Sequence, residues 1–254
     1  MSYISLTSIQ QKQKELKKTL HSVLNQTLKV DKCYIYLSEE TYLLDKGFKN
    51  KKLNDDLQTF ILSHNMFEIR WTKNTGPYRK LLPLLKEKFN EDCIIITIDD
   101  DIEFDKNLVK NLVNDYNKHK CCINYRGFNP RYKGSIKNIS YDCRNNEYKS
   151  GSDLYNFSTN GAGTLFHPSF FRNKPELIFD EMFFTEFPTC DDIWYNFCRI
   201  ANNTKLFIDT KKFSTKWNTK RDCALFSKYN HKKNTENIRK IIDTFIKLGY
   251  LKDM

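Results

Sequence analysis

The chain has 254 residues, 42 of them basic and 31 acidic, for a formal charge of +11. That length suits one large α/β core better than two small ones. The charge admits nucleic acid, an anionic membrane surface or phosphate-bearing substrates without choosing among them, because the lysines are scattered among Asn, Ile and Tyr along the whole chain. No run approaches the ~20 apolar residues of a membrane span, and Met1 leads straight into the strand-like Tyr3-Ile4-Ser5-Leu6. Neither a transmembrane segment nor a signal peptide is expected, and a cytoplasmic protein is predicted. The eight cysteines form no Cys-x-x-Cys pair and mostly lie in apolar runs, which predicts buried reduced thiols and no zinc or disulfide framework.

Tyr3 to Leu6 reads as a first strand. Ser8 and Gln11 fit a Ser-x-x-Gln capping box for a helix whose apolar face is Leu16, Leu20, Val23 and Leu24, ending at Asn25-Gln26-Thr27. Cys33 to Leu37 is a second strand. Strand, helix and strand form a right-handed βαβ unit, and such units bind ligands at the carboxyl ends of their strands, where Thr7, Ser8, Ser38 and Glu39 stand. The absence of Gly-x-Gly-x-x-Gly argues against a dinucleotide-binding domain. A helix over Asn54 to Ser63 and a strand over Phe67 to Thr72 follow. After Asn74-Thr75-Gly76-Pro77 a helix is predicted from Tyr78 to Phe89, kinked or divided at Pro83. Lys80 near its start is placed either to meet a diphosphate or to sit on an exposed helix face.

Ile94, Ile95, Ile96 and Ile98 around Thr97 are β-branched throughout and predict a strand buried on both faces. Asp99, Asp100 and Asp101 close it. Three adjacent carboxylates repel one another, so a fold keeps them at a strand end mainly where positive charge compensates. Alternation along an extended chain puts Asp99 and Asp101 on one side, the spacing of an Asp-x-Asp site for a hard divalent cation and a nucleotide diphosphate. A solvated acidic turn capping the next helix is the plainer alternative.

Asn107 to Lys118 predicts a helix and Cys121 to Tyr125 a strand. The polar, aromatic run from Arg126 to Phe157 is read as a hairpin or loop forming a wall for a second substrate. Asn160-Gly161-Ala162-Gly163 holds two of only eight glycines, either for close backbone approach to a ligand or for a tight turn. Thr164 to His167 is a strand closed by Pro168. Pro188-Thr189-Cys190-Asp191-Asp192 opens a helix with Ile193, Trp194, Phe197 and Cys198 on one face, and its carboxylates suit a helix start in any case. Lys205 to Asp209 is a last strand, residues 210 to 234 a basic tail, and Ile238, Ile241, Ile242 and Phe245 mark a closing helix.

Set side by side, these pieces resemble small bacterial and viral glycosyltransferases of the GT-A fold, related to glycosyltransferase family 2. The resemblance rests on Ile4-Ser5-Leu6-Thr7-Ser8-Ile9, Leu24-Asn25-Gln26-Thr27-Leu28, Gly76-Pro77-Tyr78-Arg79-Lys80-Leu81-Leu82-Pro83, Ile98-Asp99-Asp100-Asp101-Ile102, Gly161-Ala162-Gly163 and Pro188-Thr189-Cys190-Asp191-Asp192-Ile193-Trp194. It departs from the group at Gln10 and Lys12, where Pro and Arg are usual, and at Thr164, where a further Gly is usual.

The resemblance implies a single α/β GT-A domain over residues 1–254 with a mostly parallel central sheet flanked by helices. Residues 1–125 would form the nucleotide-sugar half, and residues 126–254 the acceptor half with the closing helix. It implies transfer of a sugar from a UDP- or GDP-type donor to a glycan, glycolipid or glycoprotein acceptor, with Mn²⁺ or Mg²⁺ as cofactor and no nucleic-acid partner. Asp99, Asp101 and His231 would hold the metal. Thr7, Ser8, Glu39, Lys80, Asp99, Asp100, Gly161 and Gly163 would bind the nucleotide sugar. Asp192 would be the catalytic base, oriented by Asp191, in an inverting reaction. A metal-dependent nuclease and a non-catalytic glycan- or RNA-binding protein remain the alternatives at this stage, and contact with a membrane surface stays open.

Overall fold

A computed structural model of the chain describes residues 1–129, 136–139, 141, 150–218, 225–230 and 233–251. The first half alternates strand and helix: β1 (Ser2–Thr7), α1 (Gln13–Leu24), β2 (Lys32–Leu37), α2 (Asp55–Leu62), β3 (Phe67–Trp71), α3 (Leu82–Glu87) and β4 (Ile94–Thr97). Its four strands pair in parallel in the order β3-β2-β1-β4, with Ile4 opposite Cys33 on one side and Ile96 on the other. Side chains alternate across this sheet. Tyr3, Tyr34, Tyr36 and Ile95 join one apolar layer, while Ile4, Leu6, Ile35, Leu37, Ile96 and Ile98 join the other.

The second half is less regular. It runs through β5 (Ile102–Phe104), α4 (Leu108–His119), β6 (Cys122–Asn124), β7 (Gly127–Phe128), β8 (Gly151–Asp153), β9 (Phe157–Ser158) and β10 (Thr164–Phe166). The short helices α5 (Pro175–Ile178) and α6 (Met182–Glu186) precede α7 (Asp191–Ala201), β11 (Leu206–Ile208), β12 (Thr215–Trp217) and α8 (Asn234–Lys247). The sheet continues from β4 as β10-β6-β11-β8, and β10 runs antiparallel to both of its neighbours. The result is the expected mixed α/β fold with an eight-stranded central sheet. Among the described residues no helix is long and apolar enough to cross a membrane, and six cysteines are free and buried.

Three expectations change on folding. No capping box forms at α1: Gln10–Lys12 is a 3₁₀ turn, Ser8 Oγ donates to Asp100 Oδ2 (2.5 Å), and Gln11 Nε2 donates to Leu44 O (2.6 Å). The helix predicted from Tyr78 is divided as expected, but at Leu81 and not at Pro83: a 3₁₀ turn covers Gly76–Lys80, and Pro83 sits in the first turn of α3, where its missing N–H costs nothing. The supposed tail at 210–234 includes β12, which pairs antiparallel with β5 directly after the Asp triplet.

Two arrangements hold the site's edges in place. Helix α1 is strapped to the segment after the triplet: Ile102 N–H donates to the buried Thr19 Oγ1 (3.2 Å), Gln26 Nε2 to Asp105 O (2.8 Å), and Val109 N–H to Gln26 Oε1 (3.0 Å). Helix α7 is buried along nearly its whole length, with Trp194 and Phe197 packed on Phe245 of α8 at ring-centroid distances of 5.0 and 5.9 Å. Its Arg199 donates to the carbonyls of Leu154, Asn156 and Thr204, so the guanidinium is buried with its donors met by backbone oxygens. Thr19→Val keeps the shape of the side chain but leaves the Ile102 amide without its acceptor. A loss of about 1–3 kcal/mol in unfolding free energy is expected by urea titration; an unchanged midpoint and slope would show the strap to be idle.

Candidate active site

The carboxyl end of the parallel half-sheet and the start of α7 meet on one side chain, Lys80. Its Nζ lies 2.8 Å from Asp191 Oδ2, 3.2 Å from Asp99 Oδ1 and 3.8 Å from Asp192 Oδ1, and its side chain is only 6% exposed. A buried ammonium is costly unless paired; here three carboxylates do the pairing. Burial opposes the charge, but Asp191, Asp99 and Asp192 outweigh it and hold the Lys80 pKa well above its usual value.

The turn that carries Lys80 is welded into place. Gly76 adopts φ +62, a conformation side chains rarely take, and its N–H donates to Asn74 Oδ1 (3.1 Å). Tyr78 Oη donates to Phe187 O (2.8 Å), and Tyr195 Oη on α7 donates back to Tyr78 O (3.1 Å). Arg79 and Asp45, 1% and 2% exposed, form a 2.9 Å ion pair beside it. Lys80 and the first turn of α7 therefore keep one geometry.

The Asp triplet splits between two ammonium groups. Asp99 turns toward Lys80, and its N–H donates to Gly161 O (2.8 Å). A Cβ at Gly161 would fall 1.7 Å from Asp99 Oδ2, so only glycine leaves room for this carboxylate. Lys12 lies 2.7 Å from Asp101 Oδ2 and 3.4 Å from Asp100 Oδ1. Burial pushes Asp100 up to about 6 and Asp191 up to about 7, in each case against the pull of the nearby lysine. Burial raises Asp192 as well, while at Asp99 the charges of Lys80 and Lys12 overcome burial and hold the carboxyl below its usual value. Asp192 Oδ1 also accepts the Asn160 N–H (2.9 Å).

These groups line one cavity of about 380 Å³. Thr7, Ser8, Lys80, Asp99, Asp100, Asp101, Asp191 and Asp192 all line it, together with Tyr141, Phe226, Asn230 and Asn234. Three predicted site residues do not line it: Gly161 packs against Asp99, and Glu39 and Gly163 lie elsewhere. Glu39 is off the cavity, exposed beside Lys51 at 3.9 Å, because β2 stands one strand out from β1 and the turn Tyr42–Asp45 lines the cavity in its stead. Gly163, at φ +99, packs on Leu108 of α4, whose Cδ2 would lie 2.9 Å from an added Cβ. His231 lies outside the described residues.

Sequence reasoning passed over Lys12, Arg79, Asp45, Asn160 and Arg126, all at or next to the cavity. For Lys12 a signal existed: a lysine entering the first turn of a helix stands against the helix dipole and needs a local reason. Asp45 sits in a polar connection and carries no such mark.

The donor set fits a hard divalent cation in one specific way. Among the described residues no three His, Cys, Asp or Glu side chains close around an ion. Asp99 and Asp101 supply carboxylate oxygens on the cavity wall, hard donors of the kind such a cation takes.

Lys80→Met would leave Asp191 without its partner. Because folding raises the Asp191 pKa, this carboxyl's contribution to stability is complete below about pH 4 and is lost as pH rises through about 7. Removing Lys80 moves the folded value higher still. The substitution is expected to cost about 3–5 kcal/mol at pH 8 and clearly less at pH 5, where Asp191 already holds its proton. Urea unfolding at the two pH values checks this, and a pH-independent loss would contradict it.

Residues 7–174 match the model of Glycosyl transferase family 2, a stretch that includes the Lys80 turn, the Asp triplet and the glycine turn. No curated protein matches the sequence. Among solved structures the chain is similar to S. aureus TarS 1-349 in complex with UDP, at 12% identity and TM-score 0.54, covering 94% of this chain and 69% of that one. It is similar to S. aureus TarS 1-349 in complex with UDP-GlcNAc, at 14% identity and TM-score 0.53, covering 85% of this chain and 58% of that one. It is also similar to GalNAc-T7 with UDP, GalNAc and Mn²⁺, at 14% identity and TM-score 0.51, covering 83% of this chain and 42% of that one. These likenesses are of fold, and with the family match over most of the chain they lead to one assignment: the chain belongs to glycosyl transferase family 2 and is a glycosyltransferase of the GT-A type.

Proposed function

We propose that the enzyme moves a sugar from a UDP- or GDP-type donor to a hydroxyl of a glycan, glycolipid or glycoprotein, with inversion at the anomeric carbon. The observation that carries this reading is Lys80, whose ammonium joins the Asp99 end of the triplet to the Asp191–Asp192 pair within one cavity. Donor phosphates and an acceptor hydroxyl would meet across that single charge. The UDP, UDP-GlcNAc and Mn²⁺ named with the TarS and GalNAc-T7 structures support a nucleotide-sugar donor.

In this reading Thr7, Ser8 and Asp100 lie along the nucleotide, and Asp101 with Asp99 holds Mn²⁺ or Mg²⁺. The ion, when bound, stabilises negative charge on the departing diphosphate. Lys80 holds Asp99 and Asp191 in fixed positions and adds positive charge beside the phosphates. The acceptor oxygen bonds to the anomeric carbon as the bond from that carbon to the diphosphate oxygen breaks, its electron pair leaving with the nucleoside diphosphate. The acceptor proton passes to Asp192. Asp192 suits this role better than Asp191, since it lines the cavity with its side chain 29% exposed against 8%, and Asn160 N–H holds its Oδ1 in place. Asp191, tied closely to Lys80, orients the pair. The charge of +11 suits an anionic or lipid-linked acceptor at a cytoplasmic membrane face.

A thermal-shift titration of UDP, GDP and their sugar conjugates, with Mn²⁺ and with EDTA, tests the donor site on wild type and Asp101→Ala. Metal-dependent stabilisation by one nucleotide, lost in the variant, is expected; no shift with any of them would end the reading. Asp192→Asn is expected to keep nucleotide binding and lose about 10²–10⁴-fold in kcat. Since burial raises both Asp191 and Asp192, the base loses its charge as pH falls, and the acid limb of the kcat profile should lie above the ordinary carboxylate range of about 4. A limb at or below that value would remove the buried pair from the reaction.

A further inference from the structure

Lys12 occupies a position that a lysine has little reason to hold on its own account. It is the N-cap residue of α1, its side chain makes no capping bond, and its charge faces the positive end of the helix dipole. What holds it is the Asp101 carboxylate at 2.7 Å and the Asp100 carboxylate at 3.4 Å. Lysine and carboxylates are shielded together, with side-chain exposures of 14%, 7% and 8%.

An ammonium between two carboxylates fills the electrostatic place of a divalent cation and uses the same hard oxygens. The two compete, since an ion on Asp101 would meet the like charge of Lys12, 2.7 Å from Asp101 Oδ2, within a few ångströms. Helix α1 cannot withdraw to make room, because Thr19 and Gln26 tie it to residues 102–109. The flexible four-carbon stem of the lysine can swing while the backbone stays. A diphosphate in the cavity would offer the ammonium new anionic oxygens and at the same time complete the coordination that two carboxylates leave unfinished.

We propose that Lys12 is a built-in counterion that keeps Asp101, one of the two carboxylates assigned to the metal, closed to divalent cations until a nucleotide diphosphate enters, so that metal and nucleotide bind together and the metal does not bind first. The inference rests on the donor-site reading above and adds an order of binding to it.

The test counts bound Mn²⁺ by the loss of its free-ion electron paramagnetic resonance signal, with UDP, with GDP and with neither, on wild type, Lys12→Gln and Lys12→Arg, each checked for folding by circular dichroism. Wild type and Lys12→Arg are expected to bind Mn²⁺ alone weakly and to tighten at least about tenfold with UDP or GDP, whereas Lys12→Gln is expected to bind Mn²⁺ alone at least about tenfold more tightly than wild type. If wild type binds Mn²⁺ equally well without UDP or GDP, the proposal fails with no variant needed. If UDP or GDP recruits Mn²⁺ to wild type but Lys12→Gln binds Mn²⁺ alone no better, the closure by Lys12 is wrong and the donor site stands. No Mn²⁺ uptake by any of the three proteins, with UDP, with GDP or with neither, overturns both.

Discussion

The buried ammonium of Lys80 is the point on which the rest depends. Without it the carboxylates of Asp99, Asp191 and Asp192 would have to share one stretch of cavity wall with one another, an arrangement that ordinary carboxyl chemistry resolves by taking up protons. With it, two segments more than 90 residues apart in the chain are held at fixed distance and at different protonation tendencies. The surrounding construction serves that single charge. Tyr78 and Tyr195 exchange hydrogen bonds across the two elements, Arg79 and Asp45 brace the turn from behind, and the packing of α7 on α8 stops the acidic helix start from drifting.

Much of this was legible in the sequence because it rests on local pattern. The β-branched run before the triplet, the βαβ opening and the isoleucine stripe of α8 each carry a period that the folded chain keeps. The acidic motifs were legible as candidate chemistry because crowded carboxylates need an explanation. What local pattern could not supply was partner choice. Ser8 reads as a helix cap, but Asp100, 92 residues away, offers a charged acceptor in a buried setting, and the long-range bond replaces the local one. Thr215 to Trp217 reads as tail because an edge ribbon of three residues has no period long enough to stand out from a basic background.

The two glycines of the Asn160–Gly163 turn show the same limit from another side. Close approach to a ligand and a tight turn were both open for them, and in the structure each meets a side chain of the protein itself: Asp99 at Gly161 and Leu108 at Gly163. Composition marks where a Cβ is missing and not what takes its place. Glu39 stands off the cavity for a reason of topology: β2 lies one strand out from β1, while the residues that follow β1 and β4 line the cavity.

Strand β10 has a consequence for how the chain reaches this state. It comes from residues 164–166 yet lies between β4 and β6, at residues 94–97 and 122–124. Neighbours in space are therefore laid down out of order, and loop closure over some seventy residues must precede the pairing of β10 with β4. During synthesis the parallel strands can pair as they emerge, but β4 then presents an open edge until Thr164–Phe166 arrives. The same insertion brings the carbonyl of Gly161 to the amide of Asp99. Closing the sheet and setting the first residue of the acidic triplet are thus one event, and a nascent chain holds the reactive cluster in working order only after its central gap is filled.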